Sequence, residues 1–277
     1  MGERVLIADL NNFAMYPTVP VGYLAALCRN AGFEVGVFSP LSIGVQGIGR
    51  EKRSGPLSLM TAKLNFRAAQ SGSKSVRSMR QWIGTHLRSP LSRKHRSVLS
   101  AFQQQVVDWQ PDIVLISSYL MYRELTEEIC VSCSEHGIPA IVGGPYFAQP
   151  EVIQAWINIR GMTALAGGEI ELQIPDIIRA VLDGSDLAAF EGVLQPDEEH
   201  GYRGTIARPL RTLDDVPYPD YSDFPWQRYP NRIVPMITGR GCGWGGVHVL
   251  QRCDEYGRAN VSIAIDRECA GRDSASL

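Results

Sequence analysis

The segment Pro139-Ala140-Ile141-Val142-Gly143-Gly144-Pro145 constrains the fold more than any other. Its apolar run is too short for a helix, carries the β-branched Ile141 and Val142, and stops on two glycines and a proline. That pattern reads as a strand buried on both faces and ending in a loop. Such strands occur in parallel sheets covered by helices on both sides, and these sheets bind ligands outside the carboxyl ends of their strands. Gly143 and Gly144 stand at that edge. Glycine there lets a ligand approach the main chain without meeting a Cβ, and turn geometry alone would also select it.

The pattern recurs along the chain. Val5 to Leu10 reads as a first strand, followed by a polar, proline-marked loop from Asn11 to Pro20. A helix is predicted from Gly22 to Ala31, with Leu24, Leu27, Cys28 and Ala31 on one face and Gly32 as its left-handed stop. Glu34 to Phe38 reads as a second strand. Ser97 is predicted to cap a helix reaching Trp109, with Val98, Phe102, Val106 and Trp109 along one side. The strongest strand lies between Pro111 and Ser118, with Ser117, Ser118 and Tyr119 emerging at the ligand edge. Helices predicted over 123–135, 151–157 and 171–182 alternate with the strand at the head of this section and with a short one, Met162 to Ala166, ending in Gly167, Gly168 and Glu169. Together these predict a Rossmann-like α/β domain over residues 1–185, a five-stranded parallel sheet with helices on both faces.

A chain of 277 residues, 44% hydrophobic and 20% charged, can bury a sizeable core. No apolar run approaches the roughly 20 residues that span a bilayer, and Met1-Gly-Glu-Arg-Val lacks the apolar region of a secretion signal. No membrane association and a cytoplasmic location are expected, with the six cysteines reduced. The net charge of −2 conceals an asymmetry. Residues 50–96 hold twelve Lys or Arg against one acid, Glu51, a local excess of +11 that leaves −13 elsewhere. Residues 41–96 are therefore read as a basic insertion, suited to an anionic partner. Nucleic acid is not expected, because no aromatic residues interleave in a stacking pattern and no nucleic-acid motif is present. Cys130 and Cys133 share a Cys-x-x-Cys spacing, but they fall inside a helix and lack the further ligands zinc needs, so they are read as core residues.

Residues 186–232, rich in Pro, Asp and Gly, read as a linker. Val234 to Gly239 then reads as the first strand of a new unit, 233–246, and Arg240-Gly241-Cys242-Gly243-Trp244-Gly245 follows directly.

In this order the pieces resemble the cobalamin-binding radical S-adenosylmethionine (SAM) proteins. The matching stretches are the Asn11 to Gly22 loop, Gly143-Gly144-Pro145, Gly167-Gly168-Glu169, Leu213 to Asp220, and Thr238 to Gly245. They cover residues 1 to about 245 apart from the basic insertion. The resemblance implies cobalamin lying flat against the carboxyl edge of the sheet, held by the loops after strands one, three, four and five. By position these supply Asn11, Pro17, Thr18, Pro20, Val21 and Gly22, then Ser117, Ser118 and Tyr119, then Gly143, Gly144, Pro145 and Tyr146, and last Gly167, Gly168 and Glu169. Backbone amides and small side chains suit a large planar corrin that must come close to the main chain. The nucleotide tail would lie along the sheet beside the small residues of strands four and five. Glu169 also has a plainer reading as a cap on the following helix, and Tyr119 and Tyr146 as covers on the core.

Two departures qualify what the resemblance implies. No His precedes His86, so the Asp-x-His-x-x-Gly cobalt ligand of the mutase type is missing and a protein imidazole on cobalt is not expected. A [4Fe-4S] cluster that leaves one iron for SAM needs three cysteines, of which Cys242 alone matches, since Cys253 and Cys269 lie at other distances. Residues 247–277 are read as an aberrant, disordered tail. Back-translating Val247 to Arg252 as GTG CAC GTT CTG CAG CGA and reading from the second base, with the last base supplied by Cys253, gives Cys-Thr-Phe-Cys-Ser-Asp, which predicts a frameshift near Gly246. The expected function is therefore cobalamin binding, as the N-terminal domain of a radical SAM enzyme whose catalytic barrel is missing. The [4Fe-4S] cluster, SAM and methyltransferase-like chemistry belong to the intact relatives, and the substrate is unknown. Two other readings stay open. A Rossmann-like nucleotide or phosphosugar-binding protein is one, although strand one runs into Asn11-Asn12-Phe13 and not into Gly-x-Gly-x-x-Gly. An interaction module using the basic insertion is the other.

Overall fold

Among the described residues, seven strands form the main sheet and five α-helices accompany it. The computed structural model describes residues 2–10, 16–45, 91–199, 201–210 and 212–240, together with the backbone of 262–263. The strands of the main sheet are β1 (Arg4–Asp9), β2 (Glu34–Phe38), β3 (Ile113–Ser117), β4 (Ala140–Gly143), β5 (Ala164–Ala166), β6 (Val193–Asp197) and β7 (Gly201–Arg203). The helices are α1 (Val19–Asn30), α2 (Arg93–Trp109), α3 (Arg123–Glu135), α4 (Pro150–Trp156) and α5 (Ile174–Leu182).

The sheet order is β2-β1-β3-β4-β5-β6-β7. Its first five strands are parallel, and β6 and β7 extend it antiparallel. The register sets Asp9 beside Ser117 and Ser117 beside Gly143, so these residues share the carboxyl edge.

Side chains alternate across the sheet and divide the core in two. Val5, Ile7, Ile113, Leu115 and Ile141 face α1 and α5, where Val21, Ala25, Cys28, Ile174, Ile177 and Ile178 meet them. Leu6, Ala8, Val114, Ile116 and Val142 face α2, α3 and α4, against Phe102, Val106, Leu125, Ile129, Cys130 and Ile153. Each large aliphatic side chain so buried stabilises the fold by about 1.5–3 kcal/mol.

Several local expectations change. The helix α2 starts at Arg93, capped by Ser92, whose Oγ accepts a bond from the His95 amide at 3.1 Å. Ser97 instead donates its hydroxyl to the Arg93 carbonyl at 3.2 Å within the helix. The helix α1 starts at Val19, which puts Pro20, Val21 and Gly22 in its first turns, where a proline without an N–H loses nothing. The sheet has seven strands and not five, because residues within 186–232 form β6 and β7. Val193 and Leu194 pair with β5, while Pro196 lies past the end of β5 and pairs with Tyr202 of β7 alone, so its missing N–H breaks no inner ladder.

The chain then returns over α1. Asp220 donates its amide to the Gly22 carbonyl at 2.9 Å, and a Cβ on Gly22 would stand 2.4 Å from the Tyr221 ring. Arg29 binds the carboxylates of Asp220 and Asp223 and the Ser222 hydroxyl. Tyr221, Phe224 and Tyr229 are buried there, with Tyr221 and Phe224 packed edge to face at 5.4 Å. Beyond them 233–238 is not a strand. Only Gly239–Arg240 (β8) pairs, antiparallel with Ser262–Ile263 (β9).

Candidate functional site

The strand order fixes where a ligand can sit. The chain leaves β1 for β2 on one side and returns past β1 to β3 on the other, which opens a crevice at the carboxyl edge. A cavity of about 540 Å³ lies there, within the range of small-molecule sites. Leu115 and Ile141 from the sheet, Leu24 from α1, Ile174 from α5 and Ala166 give it apolar walls. Thr18, Ser117, Glu169, Glu171 and Arg240 supply its polar side chains.

These groups are held unequally. Glu169 Oε2 accepts the Leu210 amide at 2.8 Å and meets Arg240 Nη1 at 3.1 Å. Glu171 Oε1 meets the same nitrogen at 2.8 Å, while its Oε2 is buried and makes no hydrogen bond. Burial opposes the charge on Arg240, but the carboxylates of Glu171 and Glu169 outweigh it and hold the guanidinium above its usual pKa. Thr18 is 2% exposed, and its Oγ1 has no hydrogen-bond partner among the described residues. Residues 235–240 pass beside the cavity, held by the Tyr221 hydroxyl donating to the Pro235 carbonyl at 2.8 Å and by Tyr23 Oη at the Ile237 backbone.

The glycines at the edge answer to different neighbours. A Cβ on Gly143 would meet nothing nearer than Ala166 Cβ at 3.4 Å, on the face that Ile141 shares. A Cβ on Gly144 would stand 2.1 Å from the Ser118 carbonyl oxygen. Gly168, at φ +92°, bridges to Ala207, and a Cβ there would stand 2.2 Å from the Ala207 oxygen. Gly144 and Gly168 are thus required by neighbouring main chain, whereas Gly143 leaves space open at the cavity.

Of the residues read from the sequence, the cavity brings together Thr18, Pro20, Ser117, Tyr119, Gly143, Gly144, Pro145, Gly168 and Glu169. Pro17 does not line it. Val21 is core, Gly22 lies under Tyr221, and Gly167 packs on Leu194 and Phe147. Ser118 shares a 2.8 Å hydrogen bond with Thr126. Tyr146 stands outside the cavity, its ring 5.6 Å from that of Tyr119. Glu169 does not cap the next helix, since its carboxylate turns to Leu210 and Arg240. Asn11 and Cys242 lie outside the described residues, as does most of the basic insertion. The sequence reading missed Leu24, Leu115, Ile141 and Ile174, which the two-residue and helical periods could have aimed at this face, and Glu171 and Arg240, for which only the fold supplies the signal.

Cys130 and Cys133 are fully buried, and desolvation pushes both thiols up, Cys133 to about 12, so both stay neutral core groups. Among the described residues no cluster of His, Cys, Asp and Glu could hold a metal ion, and no helix is long and apolar enough to cross a membrane.

A mostly parallel, doubly wound sheet with a crevice at its switch point defines a Rossmann-like fold. No protein-family model matches the chain, and no curated protein matches it by sequence. Solved structures do match. The cobalamin-dependent S-adenosylmethionine radical enzyme OxsB, with aqua-cobalamin and S-adenosylmethionine bound, aligns at TM-score 0.54 and 16% identity over 88% of this chain and 27% of OxsB. OxsB with aqua-cobalamin alone aligns at 0.54 and 15% identity, over 88% of this chain and 28% of OxsB. The radical S-adenosylmethionine methyltransferase TsrM from Kitasatospora setae, with cobalamin and a [4Fe-4S] cluster bound, aligns at 0.44 and 15% identity over 76% of this chain and 30% of TsrM. The chain shares the OxsB fold across a region that spans less than a third of that enzyme.

Proposed function

We propose that this domain binds cobalamin at the carboxyl edge of its sheet, as a cobalamin domain of the radical SAM kind. The observation that carries the reading is the open position at Gly143, a strand end whose missing Cβ faces a cavity with apolar walls on the fold that OxsB shares. A corrin with all its amide side chains exceeds about 540 Å³, so the cavity suits the nucleotide tail, with its aromatic base against Leu24, Leu115, Ile141 and Ile174. The macrocycle would rest above, where Leu120, Met121 and Tyr146 leave apolar surface exposed at the same edge. Exposed apolar groups gathered beside a cavity mark a binding surface. Bound there, cobalamin supplies a cobalt centre able to carry an alkyl group. This chain's residues would bind and orient it through contact area and the polar groups of Thr18, Ser117 and the Glu169–Glu171–Arg240 cluster.

The test is the visible absorption spectrum of purified protein, desalted after incubation with hydroxocobalamin. Corrin bands retained at near-stoichiometric amounts are the expected result. A folded but colourless protein would overturn the reading and turn attention to nucleotides as ligands of the same crevice.

A further inference from the structure

One wall of the cavity is built differently from the rest. Leu115 and Ile141 belong to the sheet, and Leu24 and Ile174 to helices packed on it, whereas Ile237, Gly239 and Arg240 belong to a returning strap, 233–240. Pro235 and Ile237 are half-buried along that strap, and Val234, Met236 and Thr238 stand exposed. Among the described residues, the hydrogen bonds that tie it to the domain are made by side chains. The Tyr221 hydroxyl donates to the Pro235 carbonyl at 2.8 Å, and Tyr23 Oη donates to the Ile237 carbonyl at 3.3 Å and accepts its amide at 3.4 Å. At the end of the strap Arg240 joins Glu169 and Glu171 in a polar collar. A segment held without a backbone ladder to its sheet opens locally more readily than a strand. The two tyrosines suit this hold. Both are 6% exposed and neither lines the cavity. Gly22 makes room for the Tyr221 ring against α1, since a Cβ there would stand 2.4 Å from it, and burial raises the pKa of the Tyr221 hydroxyl, so it keeps the proton it donates.

We infer that Tyr23 and Tyr221 are positioning residues that clamp the 233–240 strap beside the cavity, and that the strap must lift for a ligand to enter or leave. The identity of the ligand rests on the cobalamin reading, whereas the clamp rests on these contacts alone. A cavity of about 540 Å³ takes only part of cobalamin. The sheet, α1 and α5 are fixed by the core between them, so among the described residues the strap is the wall that can give. Binding that waits on such a movement is slow, and making the movement easier speeds entry and exit together. Removing a direct contact to the ligand acts otherwise, because it speeds exit and leaves entry unchanged. Losing one hydrogen bond shifts an equilibrium by about two- to tenfold, which sets the size of the change expected here.

The experiment compares the full chain as wild type and as the double variant Tyr23→Phe/Tyr221→Phe, which keeps both rings and removes only the hydroxyls. Limited trypsin digestion, read by mass spectrometry well below the melting transition, follows cleavage after Arg240, whose side chain fits the protease only once it leaves Glu169 and Glu171. Cleavage after Arg29 and Arg179, within α1 and α5, reports global unfolding in the same samples. Stopped-flow fluorescence follows the association and displacement of hydroxocobalamin. The variant should be cut after Arg240 at least about threefold faster, with no gain at Arg29 or Arg179, and should take up and release hydroxocobalamin at least about threefold faster. Cleavage after Arg240 at the wild-type rate, or equal gains at all three arginines, would overturn the clamp. Faster cleavage with an unchanged association rate would overturn the strap's part in ligand entry. Folded wild type that binds no hydroxocobalamin would overturn the cobalamin reading, while the digestion still decides the clamp.

Discussion

Replacing the adjacent glycines Gly143 and Gly144 one at a time should give opposite phenotypes, although a sequence shows them as one motif. In Gly144→Ala the new Cβ would stand 2.1 Å from the Ser118 carbonyl oxygen, a main-chain atom that ends β3 and cannot swing aside. Relieving that overlap means moving the β4 loop or the end of β3. Overpacking of this kind costs about 1–3 kcal/mol, and a clash with backbone belongs at the upper end. At about 2–4 °C per kcal/mol for a chain of this size, the melting temperature should fall by up to roughly 12 °C. Gly143→Val meets only Ala166 Cβ at 3.4 Å, and its backbone lies in a regular strand. Restricting the unfolded chain there contributes about 0.4–1 kcal/mol in favour of folding. Its methyl groups enter the cavity, so hydroxocobalamin affinity should fall at least tenfold, about 1.4 kcal/mol. Melting curves by circular dichroism and titrations on the same preparations give both readings. An early-melting Gly143→Val beside a stable, binding-competent Gly144→Ala would refute the assignment of one glycine to the ligand and the other to the main chain.

Three further outcomes follow from the packing. Gly22→Ala should cost about 1–3 kcal/mol through its clashes with the Tyr221 ring and with Pro219 Cβ at 2.9 Å, and the Tyr221 part of that cost should vanish in a Tyr221→Leu background, as a double-mutant cycle in urea would show; additive costs would contradict it. Asp220 has a lowered carboxyl pKa in the folded chain, because burial, which raises it, is outweighed by hydrogen bonds from Ser222 and Arg29. Its stabilisation is therefore fully present above the unfolded value of about 3.9 and lost as pH falls through the lower folded value, so the stability gap between wild type and Asp220→Asn should close on acidification below about pH 4. Cys28, Cys130 and Cys133 are buried and their thiols are pushed up by desolvation, Cys28 to about 12, so maleimide at neutral pH should label them only after unfolding, as peptide mapping would show.

The parallel part of the fold was legible because buried strands write themselves as short β-branched runs. Ile113 to Ile116 and Ala140 to Val142 carry that signature unbroken. The strand β6 does not, since Pro196 and Asp197 end its apolar pair after Val193 and Leu194. The start of α2 was misplaced because Arg93, Lys94, His95 and Arg96 present no apolar face, while the cap that starts the helix, Ser92, acts on backbone alone.

The site was legible only in part, for a reason its glycines display. A glycine in a sequence says that something comes close, and not what. Ala207 approaches Gly168, Tyr221 approaches Gly22 and Ser118 approaches Gly144, all from within the chain. At Gly143 the space is left open on the cavity side. The polar collar was less visible still. Glu171 gains its meaning from Arg240, which reaches it from the far side of a long returning segment, so neither residue marks the cavity until the fold brings the two together.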